Sequence, residues 1–272
     1  MYQQKFTKIP RPVLVSSLRH RTVDEVIADI RLSEAQGAQA FLLHIQLLNE
    51  EYKNAEALKK IFDATDLPVM AINYRTEGQR DDEKLTALLL DAVRVGAAAI
   101  DLPLDTFDCH AQKSLKLTDL PFAAANPKQV SMLESAVARQ KDLIAQVHDL
   151  GAEVLLSAHV ETPLTAAQGV SLAAEMQSRG ADIVKIITWC NTHEQALEIL
   201  HTDALLDKKL SVPYLYQCGG AYGALVRLIA PLFGSSLVLC HAEYGELSNC
   251  EKPLLTDVKK VHDGIKWRLW KQ

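Results

Sequence analysis

The sequence predicts a (β/α)8 (TIM) barrel folded as a single domain over residues 1–272. Three observations point there. Eight short runs are almost continuously apolar, with little alternation, as buried parallel strands covered on both faces are. Segments with helical periodicity separate them. Eight β-then-α alternations in about 250 residues are the arithmetic of such a barrel. An open doubly wound sheet is the main competitor, but it usually has fewer strands and often a glycine-rich phosphate turn after the first. Here Leu18-Arg-His-Arg21 follows the first run without a glycine, so a dinucleotide site is not expected.

In chain order the predicted strands are Pro12–Ser16, Ala40–His44, Pro68–Ile72 and Ala98–Leu102, then Glu153–Ser157, Asp182–Ile186, Pro213–Tyr216 and Ser236–Cys240. Thr22-Val-Asp-Glu25 fits a capping box, with Val23, Val26, Ile27 and Ile30 following at helical spacing. Thr192-His-Glu-Gln195 repeats that signal ahead of Ala196, Leu197 and Leu200. Val130, Leu133, Val137, Ile144 and Val147 form one more apolar stripe. Leu172, Ala173 and Met176 form another, which Gly180 ends. The stretch after the fourth strand, 104–127, is too long for a simple connection. It reads as an inserted loop on the barrel's C-terminal face, either a lid or a surface excursion.

Composition narrows the function classes. Apolar residues are 48% and charged residues 23% of the chain, and net charge is 29 − 34 = −5. That is ordinary globular material, neither disordered nor shaped as a basic nucleic-acid surface. No run approaches the ~18 apolar residues of a membrane span, and Met1–Pro12 lacks the apolar core of a secretory signal. Cys109, Cys190, Cys218, Cys240 and Cys250 are odd in number and form no C-x-x-C pair. They read as reduced thiols of a cytoplasmic protein.

Strand ends converge at the C-terminal face of such a barrel, where active sites sit. The polar residues there are His44, Gln46, Arg75, Asp101, His159, Lys185, Gln217 and His241. Alternation puts Ile183, Lys185 and Ile187 on one face of their strand. The other face must pack helices, so Lys185 points inward. An apolar interior would lower its pKa and leave an amine able to attack a carbonyl. The plain alternative is a lysine that ends the strand and snorkels outward. His159, one strand away, offers a proton-transfer group or a structural histidine. Arg75 and Arg227 could each grip a carboxylate or simply face solvent. Three strand-end histidines with Asp101 also suit zinc or manganese, which would make a metal-dependent isomerase or hydrolase using His44, Asp101 and His241. No local ligand pair supports that, and no metal is expected.

The motifs resemble those of type I 3-dehydroquinate dehydratases across roughly Pro12 to Ser236. Ser157-Ala-His-Val-Glu-Thr-Pro163 is similar to the family's S-x-H-x-F-x-x-T-P, two residues shorter. Gly180-Ala-Asp-Ile-Val-Lys-Ile186 resembles G-A-D-I-x-K-I. Gly220 to Leu228, with Phe233-Gly-Ser235, resembles G-x-x-G-x-x-S-R-L…F-G-S, with Val226 for serine. Asn73-Tyr-Arg-Thr-Glu-Gly78 resembles T-x-R-x-x-x-E-G-G with a shortened turn. The resemblance implies a hydro-lyase of the shikimate pathway, homodimeric, acting on a small keto acid. It implies no cofactor beyond the covalent imine on Lys185, and neither nucleic-acid nor membrane partners. It implies that Lys185 forms the imine, that His159 is the acid/base, and that Arg227 binds the substrate carboxylate, with Arg75 and Asp101 in the pocket around them. His44-Ile-Gln46 stands where the family has E-x-R, Asp101-Leu-Pro103 where it has D-x-E, and Tyr244–Cys250 where it has an S-A-P-G-Q loop. These departures predict weak turnover of dehydroquinate and a preference for another cyclic or sugar-derived β-hydroxy keto acid, with an aldolase-like lyase on such a compound as the alternative.

Overall fold

All eight apolar runs form strands in the computed structural model, which describes residues 4–76, 81–108, 115–116, 123–124, 129–160 and 162–265. They are β1 (Val13–Leu18), β2 (Ala40–His44), β3 (Val69–Ile72), β4 (Ala99–Pro103), β7 (Glu153–His159), β8 (Ile183–Trp189), β9 (Tyr214–Gly219) and β10 (Leu237–Cys240). A short antiparallel pair, β5 (Leu115–Lys116) and β6 (Ala123–Ala124), interrupts the series. The eight strands pair in parallel in the order β10-β1-β2-β3-β4-β7-β8-β9. No ladder joins β9 to β10. The edge is closed there by Ser236, whose N–H donates to Tyr214 O at 2.7 Å. Its Oγ accepts from Tyr214 N–H at 3.3 Å. The result is a nearly closed single-domain barrel.

Helices α1 (Val23–Gln36), α2 (Ala55–Phe62), α3 (Asp82–Arg94), α4 (Glu134–Asp149), α5 (Ala166–Ser178), α6 (His193–Lys209), α7 (Gly223–Ile229) and α8 (Leu255–Gly264) alternate with the strands. None among the described residues is long and apolar enough to cross a membrane. The Thr22–Glu25 capping box is complete. At α6 it is shifted. Thr192 caps Gln195 N–H, but Gln195 Oε1 accepts from Asn191 N–H at 2.7 Å, one residue before the cap. The α4 stripe begins later than its sequence suggests, because Val130 and Leu133 precede the first helical turn. Gly180 sits at φ +103°, left-handed geometry that suits glycine, just before β8.

Alternation along the strands makes two apolar compartments. Val15, Leu42, Met70, Ile72, Leu155, Ile183 and Leu239 fill the barrel interior. Phe41, Leu43, Leu102, Val154, Val184, Ile186 and Tyr216 pack between sheet and helices. Toward the C-terminal strand ends the interior series turns polar, with Ser17, His44, Asp101, Ser157, His159, Lys185, Gln217 and His241 all buried. The polar upper layer, above the apolar floor, is where chemistry is available. The expected insertion at 104–127 begins with a tight turn. There Gln140 Nε2 donates to Leu104 O and Thr106 O at 3.0 and 2.8 Å. Most of it, Cys109 included, lies outside the described residues.

Candidate active site

Lys185 points into the barrel, as the period of β8 requires, and is 4% exposed. Its surroundings correct the expectation of an apolar site. Nζ donates to Asp101 Oδ2 at 2.8 Å and to Tyr74 OH at 2.9 Å. Asp101 lies on β4, and its Oδ1 also accepts from Tyr74 OH at 2.9 Å and Ser157 Oγ at 2.6 Å. Both oxygens of a fully buried carboxylate are thus satisfied, and the lysine is held by an ion pair inside a hydrogen-bond network. Burial, with the Asp101 charge beside it, pushes the Tyr74 phenol well above its ordinary value, so it stays protonated as a donor.

His159 ends β7, beside β8. Gln129 Oε1 accepts both the His159 backbone N–H at 2.9 Å and the ring Nδ1 at 2.5 Å. An atom that accepts a backbone N–H is the amide oxygen, so the ring proton is on Nδ1 and Nε2 bears the lone pair. Burial, then the charges of Lys185, Arg227 and Lys252, hold this imidazole well below its ordinary pKa. It is a neutral base at pH 7. Tyr74 packs edge-on against its ring, with centroids 5.4 Å apart.

Arg227, on α7, is buried and held by Gln217 Oε1 at 2.9 Å, with Glu251 at 3.6 Å. Its Nε has no hydrogen-bond partner among the described residues. Two further cations share the cleft and were not singled out from the sequence. Arg19, just past β1, donates from Nε to Leu247 O at 2.5 Å and lies 3.3 Å from His44 Nδ1. Lys252, 6% exposed, donates to Ser17 Oγ at 2.9 Å. Period-2 counting from Val13 through Val15 and Ser17 would have reached Arg19, and counting from Met70 and Ile72 would have reached Tyr74. Nothing local marks Lys252, which comes from the segment after β10.

Arg75 takes the opposite course to Tyr74. Its guanidinium is gripped by Asp82 at 2.7 and 2.6 Å and by Asp105 at 2.8 Å, and it does not line the cleft. Burial would lower its pKa, but the two carboxylates hold it above the ordinary value. This arginine clamps the start of α3 to the turn after β4. Gln46 also stays behind the lining, with Nε2 3.2 Å from His44 Nδ1. Burial, then the neighbouring charges of Arg19 and Lys252, hold the His44 imidazole well below its ordinary pKa. His241 Nε2 accepts from Asn249 N–H at 3.3 Å, and burial lowers its pKa to about 3. His44, Asp101 and His241 therefore each serve a different partner. Among the described residues no group of three or more His, Cys, Asp or Glu converges as a metal-ligand set.

The cleft above this layer encloses about 660 Å³, part of it open to solvent. Lys185, His159, Tyr74 and Arg227 line it, together with Arg19, His44, Asn249, Glu251 and Lys252. The segment after β10, which stands where the family has its S-A-P-G-Q loop, lines the cleft through Asn249, Glu251 and Lys252.

A family model described as type I 3-dehydroquinase matches residues 14–263. The chain is 25% identical over 180 residues to a 3-dehydroquinate dehydratase of Desulfotalea psychrophila, covering 66% of this chain and 67% of that one. It is 36% identical over 104 residues to one of Aromatoleum aromaticum, covering 38% and 36%. Among solved structures, the type I enzyme of Clostridium difficile with covalently modified comenic acid superposes with TM-score 0.75 at 15% identity, covering 97% of each chain. The 3-dehydroquinate dehydratase of Geobacillus kaustophilus gives 0.76 at 16%, covering 97% and 96%. At such identities the structural likeness is one of fold.

Proposed function

The chain belongs to the type I 3-dehydroquinase family, and we propose on that premise that it is a Schiff-base-forming hydro-lyase for 3-dehydroquinate or a related cyclic β-hydroxy keto acid. The observation that carries the reading is a buried lysine amine held by Asp101 and Tyr74 one strand from a neutral, tautomer-fixed histidine.

Lys185 gives up a proton, for which the Asp101 carboxylate is the acceptor in contact. Its lone pair then attacks the ketone, and loss of water from the carbinolamine leaves a protonated imine. The imine draws electrons from the neighbouring carbon. His159 Nε2 removes the proton there, and the resulting enamine expels the β-hydroxyl. The proton His159 has taken leaves with that hydroxyl as water. Hydrolysis of the imine frees the unsaturated ketone and restores the amine. The electron sink is the imine itself, so this route calls for no further cofactor. Arg227, with its unpartnered Nε, would take the substrate carboxylate. Free thiols at Cys190, Cys218, Cys240 and Cys250 fit a cytoplasmic enzyme. Family membership is the ground for placing it in the shikimate pathway as a homodimer.

Borohydride reduction in the presence of 3-dehydroquinate tests this. A covalent mass increment should appear on the peptide containing Lys185 and vanish in Lys185→Met. Absence of any adduct with dehydroquinate and with related keto acids would overturn the reading.

A further inference from the structure

The charges lining the cleft do not balance. Lys185 has Asp101 at 2.8 Å, and Arg227 has Glu251 at 3.6 Å. Arg19 and Lys252 have neutral partners only: the Leu247 carbonyl and the His44 imidazole for the first, the Ser17 hydroxyl for the second. Among the described residues neither lies within 4.0 Å of a carboxylate. Burying basic groups without counter-charge is expensive for their charged forms, so such a group gives up charge until an anion arrives. A fold that places two of them at one wall of its substrate cleft is incomplete without an anion.

We infer that Arg19 and Lys252, with His44 beside them, form a second anion subsite, so that the substrate is a keto acid carrying another anionic group, a carboxylate or a phosphate, besides the one at Arg227. This rests on the Schiff-base reading of the cleft and deepens it. The two subsites belong to different elements. Arg19, His44 and the Ser17 that holds Lys252 belong to β1, β2 and the turn after β1, whereas Arg227 is fixed by Gln217 of β9. The imine-forming Lys185 stands on β8, next to β9. His44 and Gln46, uncharged where the family has an acid and a base, fit such a site, because an acid there would repel the anion. Burial, then Arg19, Lys185 and Arg227, hold the Lys252 amine well below its ordinary pKa, with Cys240 opposing slightly. An arriving anion reverses that repulsion, so binding takes up a proton.

The test is titration calorimetry of the whole chain with inorganic phosphate and, separately, with acetate, each in two buffers of different ionisation enthalpy at pH 7.5. The proteins are wild type, Lys252→Gln, Lys252→Met, Arg19→Gln and Arg227→Gln, each checked for an unchanged melting profile. Binding should weaken at least ~10-fold in both Lys252 variants and in Arg19→Gln, a loss of about 1.4 kcal/mol or more. It should survive Arg227→Gln, and buffer-dependent proton uptake should disappear with Lys252. The tighter of the two probes identifies the group as phosphate or carboxylate. No binding of either probe, binding indifferent to Lys252 and Arg19, or binding that needs only Arg227 overturns the subsite. Borohydride trapping of dehydroquinate on the same wild-type sample keeps the two readings apart. A Lys185 adduct together with any of those results removes the subsite and leaves the lyase standing, whereas no adduct with dehydroquinate or with any related keto acid removes the lyase.

Discussion

Replacing Asp101 by asparagine removes the counter-charge of Lys185 while keeping shape. The amide oxygen of the new side chain can still accept from Tyr74 and Ser157, which now bond Asp101 at 2.9 and 2.6 Å. The group facing Lys185 Nζ becomes an amide donor, however, at a position where donor and acceptor are 2.8 Å apart today. Both side chains are buried, with side-chain exposures of 5% and 1%, so water cannot substitute. Breaking one half of such a pair costs about 3–5 kcal/mol. At roughly 2 °C per kcal/mol for a chain of this size, the melting temperature should fall by about 6–10 °C. Lys185→Met leaves the carboxylate with two remaining donors and should cost less. The double variant should be more stable than the sum of the two losses predicts, by at least ~1 kcal/mol. Urea denaturation of the four proteins measures this coupling. Additive losses, with coupling under ~0.5 kcal/mol, would refute a stabilising role for the pair. Reductive trapping on Lys185 should also slow in Asp101→Asn, since the proton acceptor in contact with Nζ is gone.

Gln129→Ala should leave two buried donors of His159 without their acceptor, at about 1–3 kcal/mol each, and should lower kcat more than it raises KM, because the imidazole loses its fixed tautomer. Equal changes in both parameters would argue against that role. Three buried histidines, His44, His159 and His241, have pKa values depressed below their unfolded value of about 6.5, in the case of His241 to about 3. Below pH ~6.5 the unfolded chain binds protons that the folded chain refuses, so stability is intact above that pH and is lost as pH falls toward about 3. The slope should approach roughly 4 kcal/mol per pH unit, the sum of three protons, and His241→Asn should remove one proton's share in pH-dependent urea melts. With His44 and Gln46 in place of a charged pair, kcat/KM for 3-dehydroquinate should lie below the ~10⁴ M⁻¹s⁻¹ floor usual for cognate substrates. A steady-state value above it would show that the altered cleft still prefers that compound.

Legibility followed periodicity. The eight strands were visible because buried parallel strands are apolar on both faces, and the inward Lys185 followed from counting by two along Ile183–Ile187. Beyond the ends of β1 and β3 the same count leads to Arg19 and Tyr74. Charge singles out Arg75, whose side chain turns outward to Asp82 and Asp105, whereas the inward residue is the neutral Tyr74 beside it. The polar character of the lysine's surroundings could not be read locally, since Asp101 is 84 residues from Lys185. Lys252 and Gln129 lie outside the barrel strands, where no repeat says which way a side chain faces. Their contacts, to Ser17 across 235 residues and to His159 across 30, exist only once the ring has formed.

The gap between β9 and β10 makes the sheet a split ring. Seven ladders hold the strands in sequence around it, and Asp101, His159 and Lys185 stand on three consecutive members, β4, β7 and β8. Their spacing is locked by shared register, with Ser157 opposite Lys185 and Asp101 opposite Leu155. Arg227 follows one lip of the split and Lys252 follows the other. A small change in the width of the gap alters the span between those two cations without moving the reacting groups relative to each other. Substitutions at Ser236 or Tyr214, at the N-terminal ends of the two strands that border the split, would therefore act on that span rather than on the reacting groups.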